Sequence, residues 1–539
     1  MYRHFISFLK QKFWFSMSSV SFCAVTALFS TLVYNYPFLK AIYETNVTPV
    51  HFGMTAGLTF LAFWGIYTII LWPNIGKILL GITFLGNAVS LYFIMTYHII
   101  IDKVMILAVL DTDKGETADL LSWKLFWYVL IWGLLPVLLM IKTKIVYAPF
   151  VRESVKRCVL IACILCFIAG GALSHREALK NYMREHFSLR YVLLPSSYIY
   201  SIACAVYIAY IEKIEVVQVN ENPVVSRYWE QDGKKNLFVF VMGETARDAN
   251  FSLSGYHRDT NAYLRPFEKD MIVFKKTHST WTTTRISVPC VFLHYTRHTF
   301  KERAASYTDS VLDVLNQNGY QVTWIENGSA CKGLCRKIEA RVTCSGRDCY
   351  DINLVDAFAE EIPSIEKDAF FVLHQRGSHG PLYYKRYPKE FEKYAPVCTH
   401  NDLKKCRYEE LVNAYDNTVH YTSFTLAELI KKLDSLKEHY NPVLFFTSDH
   451  GESLGEDGHY LHGLPFKTAP DVQKEVPFFI WMPESSLKAL HLNRACLQAQ
   501  TKSRVSHDYI FHSLLGLAGI QVPVYDANLD LFTKCRTDF

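Results

Sequence analysis

Five apolar runs near residues 16–35, 51–72, 77–98, 123–141 and 157–174 are each long enough to cross a bilayer. A chain built this way cannot fold as one soluble body. A buried core helix could explain one such run, but not five with consistent flanking charge. Arg3, Lys10 and Lys12 precede the first run, and Lys142, Lys144, Arg152, Lys156 and Arg157 fill the gap between the fourth and fifth. If all five runs span, both basic clusters fall on one side, and that side is the cytoplasm. The odd count then places everything after about residue 175 outside the inner membrane.

A sixth span, Val192 to Ile211, would reverse that conclusion. Its proline, serines and tyrosines suggest instead a helix lying in the membrane interface, where amphipathic rings prefer to sit. Cysteine usage points the same way. Nine of the fourteen cysteines follow residue 285, and the close spacings Cys331/Cys335, Cys344/Cys349 and Cys398/Cys406 suit disulfides in an oxidising compartment better than zinc sites. The expected organisation is a five-helix transmembrane domain over 1–175, a linker with interfacial helices over 176–219, and a periplasmic domain over 220–539. Net charge is only +5, with no basic arm, so nucleic acid is excluded as a partner on charge.

From about residue 220, short β-rich runs alternate with helical patterns. Leu237–Val241, Gln321–Ile325, Ala369–Leu373, Val443–Phe446 and Val476–Trp481 read as strands, with helices near 307–316 and 506–517. This alternation predicts an α/β domain with a mostly parallel central sheet covered on both faces. In such sheets ligands bind beyond the carboxyl ends of the strands. Glu244, His379, Asp449 and His450 all fall at that edge, and His462 follows closely enough to join them. Each alone reads as a loop residue or a cap; several on one edge read as a metal site. Oxygen and imidazole donors together fit zinc, with manganese as the alternative.

A hydrolytic or transfer site of this kind needs a nucleophile. Thr280, Thr282, Thr283 and Thr284 precede the apolar segment Ile286–Leu293. Threonines there are ordinary helix caps on composition alone. A helix start is also where a phosphoryl group finds backbone N–H donors and a favourable dipole, and a divalent cation would lower the hydroxyl pKa.

Several motifs carry a more specific signal. Gly243-Glu244-Thr245-Ala246-Arg247, Phe251-Ser252-Leu253-Ser254-Gly255-Tyr256, Arg258-Asp259-Thr260-Asn261, Ser287-Val288-Pro289-Cys290 and Ser448-Asp449-His450-Gly451-Glu452-Ser453-Leu454-Gly455 together resemble the lipid A phosphoethanolamine transferases of intrinsic and mobile colistin resistance. The resemblance runs through the whole chain, five spans included. It implies an alkaline-phosphatase-like catalytic domain with zinc held by Glu244, Thr284, Asp449 and His450, one ion tightly bound and a second left open. It makes Thr284 the nucleophile and assigns His379 and His462 to a second metal or the substrate phosphate. Asn327 and Lys332 resemble phosphate contacts, and Glu116 a carboxylate near the donor's amine.

The implied reaction moves phosphoethanolamine from phosphatidylethanolamine to a lipid A phosphate of lipopolysaccharide through a phosphoethanolamine-threonine intermediate. It would lower surface negative charge and give polymyxin resistance. A monomer in the inner membrane is expected. Kdo or core heptose are alternative acceptors; a membrane-anchored sulfatase or phosphoglycerol transferase, or a non-catalytic scaffold, are the competing classes. Departures from the pattern lie beside the nucleophile. Where the family has Cys-Gly-Thr, with that cysteine bonded to the later one, this chain has Thr280-Trp281-Thr282. The resemblance therefore leaves Cys290 without its partner and Cys496 with Cys535 as a fourth pair. Arg285 replaces a small residue, and Leu107-Ala108 stands where polar residues are usual.

Overall fold

A computed structural model describes residues 13–537 apart from 46–47, 112–119, 175, 177–186, 212–217, 228, 231–232, 302–306, 329–330 and 345–348. The chain forms two compact units, the first of residues up to Leu107 and from Leu121 to Ala205, the second of the intervening segment from Ala108 to Leu120 and the residues from Val206 onward.

The first unit is helical. Its described helices include α1 (Ser19–Phe29), α2 (Tyr36–Glu44), α3 (Pro49–Ile70), α4 (Gly76–Tyr97), α5 (Trp123–Ile141) and α6 (Phe150–Ser174). Four of these, α3 to α6, are long and apolar enough to cross a membrane. A fifth span arises if Ser19–Tyr34 and α2, which meet at a 56° bend, count as one. The bend has one local and one distant cause. Pro37 lacks an N–H for the helical ladder, and the buried Asn35 amide donates to the Ser30 and Leu194 carbonyls at 2.9 and 2.8 Å.

Helix α6 starts before the expected residue 157, and Arg157 is accommodated inside it by three contacts. Arg157 pairs with Glu153 at 2.9 Å, donates to the Thr68 carbonyl at 2.8 Å, and lies over the Trp72 ring. The Val192–Ile211 run contains α7 (Ser196–Val206), continued by a π-helical segment over Tyr207–Ile211, and these 11 and 5 residues at 1.5 Å rise span at most about 24 Å. That is too short to cross a bilayer as a helix.

The second unit is built on a seven-stranded sheet. Its strands are β1 (Lys235–Gly243), β2 (Met271–Phe274), β3 (Gln321–Glu326), β4 (Glu339–Val342), β5 (Ala369–His374), β6 (Tyr440–Ser448) and β7 (Phe478–Trp481), in the order β2-β7-β6-β1-β5-β3-β4. The run from β6 to β4 is parallel, and β7 is antiparallel to both its neighbours. Strands β1, β5 and β6 are apolar and buried on both faces, as a covered parallel sheet requires.

Alternate side chains serve the two faces. Phe238, Phe240 and Met242 share a core with residues of α8 (Thr284–Phe292), α9 (Val311–Gln317) and α12 (Asp508–Leu517). Helices α10 (Ile352–Glu361) and α11 (Tyr408–Ser435) cover the other face. Two strands, β2 and β4, were not foreseen: each has four residues and sits at a sheet edge. Disulfides join Cys331–Cys335, Cys344–Cys349, Cys398–Cys406 and Cys496–Cys535, and Cys290 is a buried free thiol.

Candidate active site

Three adjacent parallel strands end at the same place. The register pairs Ser448 with Gly243 and Met242 with His374, so the residues that follow β6 and β1 emerge side by side, with His374 at the end of β5 next to them. Glu244, Asp449 and His450 therefore meet although about two hundred residues separate them in sequence. One donor atom from each lies within 4.8 Å of the others, and all three are buried. The chain turns sharply after Glu244: Thr245 takes a left-handed φ of 59°, held by its N–H to Asp449 Oδ1 at 3.0 Å and its carbonyl to the Tyr415 hydroxyl at 2.8 Å.

Thr284 is the first residue of α8, with Thr283 as the extended cap. Its Oγ1 lies 3.0 and 3.2 Å from the two Glu244 oxygens and 3.2 Å from His450 Nε2. Thr282 is committed elsewhere, donating to the Leu464 carbonyl at 2.6 Å. Thr283 is buried, with no hydrogen bond to its hydroxyl. Thr284 is the hydroxyl of this segment that faces the cluster.

The donor set suits a divalent cation. His450 Nδ1 lies 2.9 Å from the Gly451 carbonyl, so it carries the ring proton and turns the Nε2 lone pair inward. Asp449 Oδ1 accepts two backbone N–H groups, but Oδ2 accepts none and sits 3.2 Å from that Nε2. An acceptor facing an acceptor in a buried pocket needs a proton or a metal cation between them.

The electrostatics set the two carboxylates apart. Burial would raise the Glu244 carboxyl, but the surrounding imidazoles of His374, His450 and His379 outweigh it and hold it well below the usual carboxylate range. Burial and the neighbouring Glu244 charge push Asp449 well above its ordinary value. Burial, with His462 close by, lowers His450 to about 3.

Two further histidines border the cluster. The ring of His462 is 4.2 Å from that of His450 and 5.5 Å from that of His379. His462 Nδ1 lies 2.8 Å from Glu452 Oε2, while the Tyr383 hydroxyl donates to Glu452 Oε1. Burial opposes the charged form of His462, but Glu452 prevails and raises it to about 9.

Residues 236–520 match the Sulfatase family model, and residues 59–210 match the model described as phosphoethanolamine transferase EptA/EptB. The phosphoethanolamine transferase EptA of Escherichia coli K12 is 35% identical over 477 residues, covering 86% of each chain. The chain belongs to the phosphoethanolamine transferase family. The phosphatidylethanolamine transferase Mcr-1 of Escherichia coli is 30% identical across 93% of this chain and 95% of its own. The solved integral membrane lipooligosaccharide phosphoethanolamine transferase A of Neisseria meningitidis superposes with a TM-score of 0.93 at 30% identity, over 97% of this chain and all of that one.

Within this family frame, the structure brings Glu244, Thr284, Asp449, His450, His379 and His462 together. Asn327 has a bracing contact within the protein. It is buried at the end of β3, and its amide donates to Asp351 at 2.7 Å. Asp351 in turn accepts the N–H groups of Arg376 and Gly377 at 2.9 and 3.1 Å, so Asn327 braces the loop that carries His379. Lys332 is half-buried inside the Cys331–Cys335 loop with a φ of 47°. Arg285 is half-buried directly after the nucleophile. Glu116 lies outside the described residues.

Sequence reading missed His374. Its Nε2 is 3.8 Å from Glu244 Oε2, and it is fully buried. The available signal was a histidine closing an otherwise apolar strand, Ala369–His374, which ends beside β1.

Proposed function

We propose that this transferase moves phosphoethanolamine from phosphatidylethanolamine to lipid A through a covalent intermediate on Thr284, using zinc. Residues 1–175 form its membrane domain, 176–219 the linker and 220–539 the catalytic domain. The helices cross the inner membrane and the catalytic domain is periplasmic. The observation that carries the reading is the Thr284 hydroxyl at a helix start, within hydrogen-bond reach of both Glu244 and His450.

The chemistry follows from that placement. Thr284 Oγ1 forms a bond to the donor phosphorus as the bond to the diacylglycerol oxygen breaks. Glu244 accepts the hydroxyl hydrogen bond, orients the oxygen lone pair and takes up the proton that Thr284 loses as the bond to phosphorus forms. The α8 N-terminus directs backbone N–H groups toward the phosphoryl oxygens. His462, tied through Nδ1 to Glu452, presents Nε2 as the group placed to hand the leaving alkoxide its proton. A lipid A phosphate oxygen then attacks the same phosphorus, and the Thr284 oxygen leaves. Zinc bound by Glu244, Asp449, His450 and Thr284 would supply positive charge that favours the ionised hydroxyl and the equatorial phosphoryl oxygens.

The substrates explain the membrane unit, because donor and acceptor are both lipids and an anchored enzyme meets them on a surface. Each transfer masks an anionic phosphate with a zwitterionic group. Fewer negative charges bind cationic polymyxins less tightly, so resistance follows. A sulfate-ester hydrolase has only the Sulfatase match in its favour, which the match over 59–210 outweighs.

Mass spectrometry of lipid A from cells expressing the chain should show added phosphoethanolamine, and cells expressing Thr284→Ala should show none. Modification retained by Thr284→Ala would move the nucleophile to Thr283 or Thr282.

A further inference from the structure

The segment ahead of the nucleophile, Ser279 to Thr283, takes no part in the steps above, yet three stretches of chain converge on it. The Trp281 ring centroid lies 6.2 Å from that of Phe466, in the turn that follows His462. Two cations flank the same phenylalanine ring: the Arg297 guanidinium at 4.2 Å and the Lys474 ammonium at 5.6 Å from its centroid. Hydrogen bonds join the same stretches. Thr282 Oγ1 donates to the Leu464 carbonyl at 2.6 Å, the Ser279 N–H to the Lys474 carbonyl at 2.8 Å, and Ser279 Oγ to the Trp281 carbonyl at 2.7 Å. The turn is fixed from behind by Gln473, which accepts from the Leu464 N–H at 3.3 Å and donates to the Leu461 carbonyl at 3.0 Å. Cys290 in α8 is a free thiol, so it forms no covalent tie to this segment.

We propose that Trp281 is a positioning residue for the transfer. By packing on Phe466 it holds the segment leading into Thr284 against the turn that carries His462, and so sets the separation of the nucleophile from the imidazole that serves the leaving group. Flat aromatic rings are well suited to such positioning, since they cover a wide contact area with few rotatable bonds, and the two cations over the Phe466 ring hold that ring in place. The proposal rests on the reading of Thr284 as nucleophile. It differs from a purely structural role in one respect. A merely stabilising ring contact would affect the melting temperature and leave turnover alone, whereas a misplaced nucleophile loses turnover of bound substrate.

The test uses the full chain in phosphatidylethanolamine-containing vesicles, with kcat and KM for donor turnover, the melting temperature, and hydrogen exchange of residues 279–284 and 462–466. Trp281→Ala and Phe466→Ala should each lower kcat by about tenfold to a hundredfold, with KM changed by less than about twofold. Exchange should rise in both segments. Trp281→Phe should recover most of the rate and Trp281→Leu, which keeps apolar bulk, should not. The double alanine variant should be no slower than the slower single one, because both remove one contact. Wild-type kcat in the alanine variants, a loss confined to KM, or losses that multiply would overturn the proposal. Thr284→Ala run alongside separates the two claims. If it stays active, the nucleophile reading has failed; if it is dead while Trp281→Ala turns over at full rate, only the positioning role has.

Discussion

Asp449 Oδ2 and His450 Nε2 face each other at 3.2 Å as two acceptors, both fully buried. Replacing that carboxylate by an amide keeps the size and removes the charge that would hold a cation. Wild-type protein treated with a chelator should melt at a lower temperature and recover when zinc is returned. A ligand at a hundredfold excess over its Kd contributes about 2.7 kcal/mol to the folded state. Asp449→Asn should show neither the fall nor the recovery in a thermal-shift assay. An unchanged zinc response in that variant would remove Asp449 from the ligand set. How legible each residue was follows from its surroundings. Asp449 and His450 stand together after a strongly apolar run, where a polar pair is conspicuous. Glu244 sits in the same position after β1. His374 escaped notice because one histidine at the end of a buried strand looks like a strand residue, and only the pairing of β5 with β1 reveals its neighbour. Asn327 entered only through the family resemblance, and the hydrogen bond of its amide to Asp351 could not be read from the sequence.

At the scale of elements, the turn after β1 carries a pH response. The short helical turns Asp248–Asn250 and Ser252–Ser254 are linked by a hydrogen bond from Ser254 Oγ to Asp248 Oδ1. Burial raises the Asp248 carboxyl from 3.8 to about 6, with the Glu475 charge adding to it. The folded state therefore binds this proton more tightly than the unfolded chain does. Its contribution is full below pH 3.8 and is lost as pH rises through about 6. Asp248→Asn should flatten that part of the stability profile, raising the melting temperature above pH 6 and changing little at pH 4. A uniform shift across the range would show that the carboxyl does not titrate as argued. The long apolar strands β1, β5 and β6 were readable because burial on both faces leaves continuous runs. Edge strands β2 and β4 were not, since four residues carry too little periodicity. The bend between Tyr34 and Tyr36 was hidden for another reason: it depends on Asn35 reaching the Leu194 backbone, a contact distant in sequence.

Across the whole molecule, one chain joins apolar helices to an α/β unit with four disulfides, a combination that suits a periplasmic enzyme acting on lipids. Its central claim is that a phosphoryl group passes through Thr284. The most direct measurement is peptide mass spectrometry of the full-length protein, acid-quenched after incubation with phosphatidylethanolamine and no acceptor. The account predicts phosphoethanolamine on the peptide containing Thr284, its disappearance when lipid A is added, and none in Thr284→Ala. An adduct on another residue, or lipid A modification by a Thr284→Ala protein that never carries one, would contradict it.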